Sequence, residues 1–531
     1  MAFEDSGWLE LRPICLLFGR NSSGKSAIIR ALRLLKQSLD GSSKDGPLVF
    51  MTEEGIDQGS YKETVHHTDH REPQAASSQS EEIDLPPITY HFRCRLLNTL
   101  DILREIVKEK VQEPQIARMG DEVSEDWVDF SLRYVWNKET KQAELDGFSI
   151  DCPWMTNEGF NQCAVFLAQR VEFEVTDLTG GDWFFDSHFL HGHEVGDGES
   201  VWVDVSVERT SGFLPRLVRH DAQVQKSQTS LFDFRFVSAL MQELCKIVED
   251  FLQNIEYLGP IRTEPRRIYV IDRLTNSRWQ RRGLNSFLNF LIAGLDEPQY
   301  KQIDSWWDKL GLGIKIGPTS ENNAGGRVTV SQIRTCEAEG SSFINLKDIG
   351  FGASQVLPVL IQSLLAEKTL VVIEQPELHL HPEAQARLAD FFIECVSKEN
   401  SPRFILETHS EHFLLRLQRR VAETSYESKK STLDQEPSVS NTDEKKLRNE
   451  GFALDRSQLG IIFVTRFQGD SQTEFIQIND RGELVVDKRG ELEPPSTAFQ
   501  DFFRQDYEDV MCLTRVISDI VNLEQHDERG N

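Results

Sequence analysis

The sequence predicts an α/β fold, and three observations carry that prediction. An apolar run, Ile14 to Phe18, meets Gly19 and gives way to apolar residues at Ala27, Ile28, Ala31, Leu32, Leu34 and Leu35, the spacing of a strand, a tight turn and a helix. A second uninterrupted apolar run, Leu370 to Ile373, has the character of a strand buried on both faces. Ala384 to Val396 then reads as helix and Phe404 to Leu406 as strand, so the α/β text resumes far down the chain. At 531 residues, with 39% hydrophobic and 27% charged, the composition is that of a soluble globular protein. Single cores stop growing near roughly 250–300 residues, so more than one domain is expected.

The organisation follows from the same patterns. Residues 1–87 hold the first strand and helix and a loop-rich stretch. Residues 88–230 alternate in short pieces such as Tyr90 to Leu96 and Val201 to Val207 between Gly and Asp clusters, which predicts a β-rich insertion. Residues 231–423 open with Val237, Leu240, Met241, Leu244, Val248, Phe251, Leu252 and Ile255 at helical spacing, followed by the second α/β stretch. Residues 424–450 have almost no large apolar side chains and are expected to be a disordered insertion. Residues 451–531 predict a short C-terminal α+β piece, with two strands around the turn Asn479-Asp480-Arg481-Gly482.

Charge and cysteine usage limit the partners and the compartment. Lys and Arg total 58 against 86 Asp and Glu, a net charge of −28, which excludes a whole surface that coats nucleic acid and leaves only a local groove. The eight cysteines show no CxxC pair and predict reduced thiols. No apolar run approaches the roughly 18 residues of a membrane span, and the start MAFEDSGWLE has neither part of a signal peptide, so the expected location is cytoplasmic, with no membrane contact.

The chemistry is concentrated in a few segments. Gly19-Arg20-Asn21-Ser22-Ser23-Gly24-Lys25-Ser26 satisfies G-x-x-x-x-G-K-[ST] between a strand and a helix, the P-loop pattern. Its glycines let backbone N–H groups close around phosphates; Lys25 reaches the β and γ oxygens of ATP, and Ser26 offers a hydroxyl to Mg2+. Glu374 emerges from the apolar strand where a second Mg2+ contact is expected. Gln375 follows at the place of a water-activating acid; an amide orients water but takes no proton, which leaves Glu377 as the nearby substitute. After the next strand, His409 is placed to sense a γ-phosphate, with Ser410 capping a helix.

Together, GRNSSGKS, LKDIGFGASQVLP, VVIEQPELHLHPEAQ and ETHS resemble the ABC-type ATPase heads of SMC, RecF and OLD proteins. More narrowly, they resemble bacterial AAA-family ATPases with a short C-terminal domain of unknown function, a likeness that Pro47 to Val65, Tyr257-Leu-Gly-Pro-Ile-Arg262 and Leu459 to Tyr507 extend. The resemblance implies a homodimer with ATP held between one subunit's P-loop and the other's signature, which would be Gly350, Gly352, Ser354 and Gln355. Leu378 to Pro382 would couple the two sites, and an aromatic group near the start, Phe3 or Trp8, would meet the adenine. Defence or repair partners tend to sit beside such heads. An OLD-type nuclease is not expected, because such a protein needs a catalytic domain of roughly a hundred residues after the head.

Two further segments leave their roles open. Ile261 to Gly283 carries Arg262, Arg266, Arg267, Arg273, Arg278, Arg281 and Arg282 with Tyr269 and Trp279 interleaved, a pattern for DNA phosphates, for a protein effector or for a solvated face. His188, His191 and His193 lack an acidic or thiol companion at ligand spacing and are not expected to hold metal. Two functions follow: an ATPase driving dimer opening and closing, or a nucleotide-dependent scaffold in which Gln375 slows turnover.

Overall fold

In the computed structural model, β1 (Ile14–Gly19) leads into α1 (Lys25–Leu39) and the short α2 (Tyr61–Thr64). Seven strands follow: β2 (Ile88–Arg95), β3 (Trp127–Asn137), β4 (Gln142–Asp151), β5 (Arg170–Glu174), β6 (Asp182–Phe184), β7 (Asp204–Ser211) and β8 (Leu214–Arg219). Next come α3 (Gln228–Gln253), β9 (Ile255–Leu258), β10 (Tyr269–Asp272), α4 (Glu297–Lys309), β11 (Lys315–Asn322), β12 (Val328–Cys336) and β13 (Ile344–Asn345). The last part is α5 (Phe351–Leu365), β14 (Leu370–Glu374), α6 (Pro382–Val396), β15 (Arg403–Glu407), α7 (Glu411–Thr432), β16 (Leu459–Phe467), β17 (Asp470–Ile478), β18 (Leu484–Lys488) and β19 (Glu491–Glu493). The described residues are 2–39, 46–51, 57–65, 85–95, 127–151, 170–174, 182–184, 204–211, 213–219, 228–262, 264–272, 297–322, 328–336, 341–432, 452–467, 469–488 and 490–502.

The chain forms two compact units, Ala27–Gln253 and Ala2–Ser26 with Asn254–Asn531. The first unit holds the β-rich part, as the antiparallel sheets β2-β3-β4-β5 and β6-β7-β8. Tyr134 is buried there and donates its hydroxyl to the Phe213 carbonyl at 3.0 Å, satisfying a polar atom that would be costly to bury alone. On α3, Met241, Leu244, Val248 and Leu252 are buried at the helical spacing.

The second unit is built on an eight-stranded sheet, in the order β19-β18-β17-β16-β1-β15-β14-β9. The pairs β9–β14, β14–β15, β15–β1 and β1–β16 are parallel; β17 to β19 continue it antiparallel. Alternate residues of the central strands, Leu16, Phe18, Val371, Ile373, Phe404 and Leu406, pack in one core with Leu357, Leu360, Phe391, Phe392, Phe413 and Leu417 of α5, α6 and α7. Arg420 of α7 forks onto Asp390 of α6 at 2.7 and 2.9 Å, both side chains almost wholly buried, so the pair is hydrogen-bonded as a buried ion pair must be. A smaller sheet, β10-β12-β11 with β13 on β12, adjoins α4.

The tail joins the sheet that carries β1. Leu459 to Val464 pair in parallel with Ile14 to Gly19, which makes β16 a neighbour of the P-loop strand. The reason lies in β1 itself: all six of its residues are buried, and a strand with no exposed edge needs a partner on each side. The expected turn at 479–482 does join two strands, β17 and β18. Helix α7 reaches Thr432, so residues 424–432 are helical although Tyr426 is their one large apolar side chain; extending a formed helix costs far less than starting one. The remainder of that expected disordered stretch lies outside the described residues. Cys15, Cys94, Cys245, Cys336 and Cys395 are buried and form no disulfide with one another; burial pushes the Cys15 thiol up to about 12.

Candidate nucleotide site

The site gathers at the C-terminal ends of β1, β14 and β15. The loop from Gly19 to Ser26 leaves β1 with Gly19 at φ +150°, Ser22 at φ +62° and Gly24 at φ +114°. Both glycines are fixed by close approach as well as by torsion. A Cβ on Gly19 would collide with the Val464 carbonyl of β16, and one on Gly24 would stand 2.7 Å from Ser471 Oγ of β17. Ser471 also donates its hydroxyl to the Ser23 carbonyl at 2.6 Å, so the β16–β17 hairpin braces the loop at both ends.

Lys25 is 4% exposed and turns back over its own loop, donating to the carbonyls of Gly19 at 2.8 Å and Arg20 at 3.0 Å. Burial lowers its pKa, against the opposing pull of Glu407, whose carboxylate is 3.7 Å away. Glu374 and Glu407 stand side by side in the register of β14 and β15. Tyr257 of β9 donates its hydroxyl to Glu374 Oε1 at 2.8 Å. Glu407 is buried, its pKa raised first by that burial and then by the charge of Glu374, and its Oε2 has no hydrogen-bond partner.

Gln375 follows with φ +48°, a left-handed backbone that is uncommon for a residue with a Cβ. Its N–H donates to the Glu407 carbonyl at 2.7 Å, and its own carbonyl accepts from Arg262 at 3.0 Å and from the Leu378 N–H at 3.2 Å. Glu377 is 7% exposed and accepts the His409 N–H at 2.9 Å, and burial raises its pKa. Its carboxylate thus holds the backbone of the His409 segment. Burial, then the charge of Lys25, lowers the His409 pKa. Ser410 caps α7 as expected: its Oγ accepts the Phe413 N–H at 3.1 Å.

The signature segment divides. Gly350 is exposed at the start of α5, with no atom within 4 Å of the place a Cβ would take, and that helix has no side-chain cap. Gly352 packs against the His379 backbone, where a Cβ would come within 2.5 Å of the carbonyl, and Phe351 stacks edge-on to the His379 ring at 4.9 Å. Ser354 and Gln355 turn inward, at 3% and 1% exposure. Ser354 donates to the Phe351 carbonyl at 2.7 Å, and Gln355 exchanges hydrogen bonds with the Arg262 backbone. Of the four expected signature residues, Ser354 and Gln355 thus face the interior, and Gly350 is exposed at the open first turn of α5.

Arg262 is likewise displaced from its expected role at a surface. It is 5% exposed and donates to the carbonyls of Gln355 at 3.2 Å, Glu374 at 2.9 Å and Gln375 at 3.0 Å. Burial brings its pKa down to about 10. Arg267 pairs with Asp348 at the surface; Arg273, Arg278, Arg281, Arg282 and the three histidines at 188, 191 and 193 lie outside the described residues. Sequence reasoning missed Glu407, Tyr257 and Ser471. Only Glu407 left a signal, an acid closing an apolar strand that stands beside Glu374 in the sheet.

The residues fit a triphosphate. The loop carries a buried, unpartnered Ser23 Oγ beside Lys25, and Ser26 is exposed at the first turn of α1. They also suit a magnesium ion carried in with phosphates: among the described residues no cluster of three or more His, Cys, Asp or Glu side chains would hold a metal alone, and this ion needs only one or two protein oxygens.

Residues 271–414 match the family described as AAA ATPase domain, a span that includes Gly350 to Gln355, Glu374 to Glu377 and His409. The likeness to an ATPase domain thus lies in residues 271–414, and the β1–β15 pairing joins the Gly19–Ser26 loop to that part. No curated protein matches the sequence. Similar solved structures include an Smc head bound to the C-winged helix domain of ScpA, at 11% identity and TM-score 0.34 over 87% of this chain and 90% of that one. An Smc head with an extended coiled coil bound to the C-terminal domain of ScpA, from Pyrococcus furiosus, gives 10%, 0.31, 87% and 90%. The SMC head domain from Thermotoga maritima gives 9%, 0.28, 90% and 97%. Among the described residues no helix is long and apolar enough to cross a membrane.

Proposed function

We propose that the chain is a nucleotide switch: ATP and Mg2+ bind at Gly19–Ser26 and Glu374, two copies close around the nucleotide, and hydrolysis reopens them. The observation that carries this reading is the convergence of Lys25, Glu374, Glu407 and the His409 segment at the ends of three adjacent parallel strands. Lys25 and the loop N–H groups offset phosphate charge, Ser26 and Glu374 hold the magnesium, and Gln375 orients the attacking water. The ion neutralises charge on the bridging oxygens when bound. Gly350 and the uncapped N-terminus of α5 offer an anion-friendly surface to the partner copy's nucleotide. The output passes to a protein effector or to DNA, in phage defence or repair.

A second reading, a scaffold with little turnover, is favoured by Gln375, which accepts no proton. One experiment separates both from a merely structural loop. Light scattering with MgATP should show a dimer that Lys25→Ala and Gly350→Arg both abolish, and phosphate release then distinguishes switch from scaffold. Gly350→Arg suits this purpose because the position is exposed, open and at φ −53°. An unchanged mass in every sample excludes the sandwich.

A further inference from the structure

We propose that Tyr257 is a positioning residue of the magnesium site: its hydroxyl holds one oxygen of the Glu374 carboxylate and leaves the other for the ion. This rests on the nucleotide reading above and adds to it the group that sets how tightly the metal is bound.

The register of the sheet brings the two side chains together. β9 runs parallel to β14 with Tyr257 level with Val372, and Glu374 stands two residues beyond Val372 at the end of its strand. Paired residues share a face and faces alternate along a strand, so Tyr257, Val372 and Glu374 all project to one side of the sheet. The neighbouring pair, Leu258 and Ile373, goes to the other side, into the core with α5 and α6. Two residues of parallel strand span about 6.6 Å, close to the reach of a tyrosine side chain. The Tyr257 hydroxyl accordingly meets Glu374 Oε1 at 2.8 Å.

The segment that carries Tyr257 grips the end of β14 twice. Tyr257 holds the carboxylate of Glu374, and Arg262 donates to the carbonyls of Glu374 at 2.9 Å and Gln375 at 3.0 Å. Gly259, between the two, leaves room for the ring, since a Cβ there would stand 3.0 Å from the tyrosine oxygen. The last torsion of a glutamate is broad, so a carboxylate at a strand end turns easily unless something holds it. Magnesium demands near-ideal octahedral geometry and takes only one or two protein carboxylates, so a turning ligand weakens its binding. A hydroxyl donor suits the task because an ionised carboxylate only accepts, and its second oxygen stays available. Groups that touch a metal's ligands rather than the metal commonly orient those ligands in this way.

The test follows binding of a fluorescent, non-hydrolysable ATP analogue to the full chain, first in EDTA and then as Mg2+ is added. Tyr257→Phe keeps the ring and removes only the hydroxyl. It should bind the analogue within about twofold of the parent in EDTA, while the Mg2+ concentration at half effect rises about tenfold or more. In a Glu374→Gln background the same change should shift that midpoint by less than about twofold, because the carboxylate that the hydroxyl positions is gone. An unshifted Mg2+ midpoint overturns the proposal, as does full additivity of the two changes. Equal weakening with and without Mg2+ also overturns it and assigns Tyr257 to the fold, so the EDTA measurement serves as the folding control. A parent protein that binds no analogue, or whose binding ignores Mg2+, overturns instead the nucleotide reading on which the proposal rests.

Discussion

Arg262 donates to the carbonyl of Gln375 at 3.0 Å, and Gln375 is held at φ +48° by that bond together with the Glu407 carbonyl and the Leu378 N–H. A left-handed residue with a Cβ persists only where its surroundings over-determine it. The same guanidinium bonds the Gln355 carbonyl in α5, so one buried cation links the start of the signature helix to the residue proposed to orient the water. Arg262→Lys keeps the charge and loses the fork. We expect ATP affinity to stay within about threefold while phosphate release falls by about tenfold. Equal losses in both, read from titration and from phosphate assay, would assign Arg262 to stability alone.

Lys25→Ala should abolish ATP binding. The ammonium rests on two loop carbonyls and releases them to turn to the phosphates; without it their charge is uncompensated. Retained binding of labelled ATP by the variant contradicts the assignment.

Gln375→Glu should raise phosphate release, because it places a proton acceptor where the water is oriented. Glu377→Gln should change release by less than about tenfold, far below the roughly 10²–10⁴ of a lost general base, since the Glu377 carboxylate accepts the His409 N–H instead of facing solvent. Steady-state assays of the two single variants decide between these roles.

The buried acids also predict a pH dependence of stability. Burial raises the Glu407 pKa above its ordinary 4.5, so just above that pH the folded state keeps a proton that the unfolded chain has released. Stability contributed this way is present below pH 4.5 and is lost as the pH rises through the raised value. Glu407→Gln removes that contribution. In nucleotide-free protein, its melting temperature relative to the parent should therefore climb as the pH increases from about 4.5; a flat difference contradicts the buried, unpartnered carboxyl.

Gly352→Ala tests the contact between α5 and the segment after β14. Its Cβ would lie 2.5 Å from the His379 carbonyl, so backbone must shift, at a cost of roughly 1–3 kcal/mol in urea unfolding. An unchanged midpoint would show that His379 is not packed there.

The strand–loop–helix around Gly19–Ser26 and the strand ends that carry Glu374 and His409 were legible because each is defined by residues adjacent in the chain: glycines before a helix, an acid after four apolar residues, a histidine before a cap. Glu407, Ser471 and the true place of Arg262 were not. Glu407 matters through its register with Glu374, and Ser471 through a contact across two strands. Arg262 sits in an arginine-rich stretch that suggests a surface, yet its partners are backbone carbonyls, which leave no mark in side-chain composition. The inward turn of Ser354 and Gln355 was hidden for the same reason. A helix that is apolar nearly all round buries whatever polar residues it also carries.

The brace between Ser471 and Ser23 joins residues 448 positions apart. On a ribosome adding roughly 5–20 residues each second, the motif bearing Lys25 is made roughly 20–90 s before the hairpin that shapes it. Throughout that interval β1, apolar on both faces, lacks the neighbour that later covers one of its edges. The nascent protein thus carries its P-loop sequence for most of its synthesis without a finished site. The bracing of the Gly19–Ser26 loop is gained only once that hairpin has been made, and a chain released before it would hold every recognised motif without the Ser471 contact.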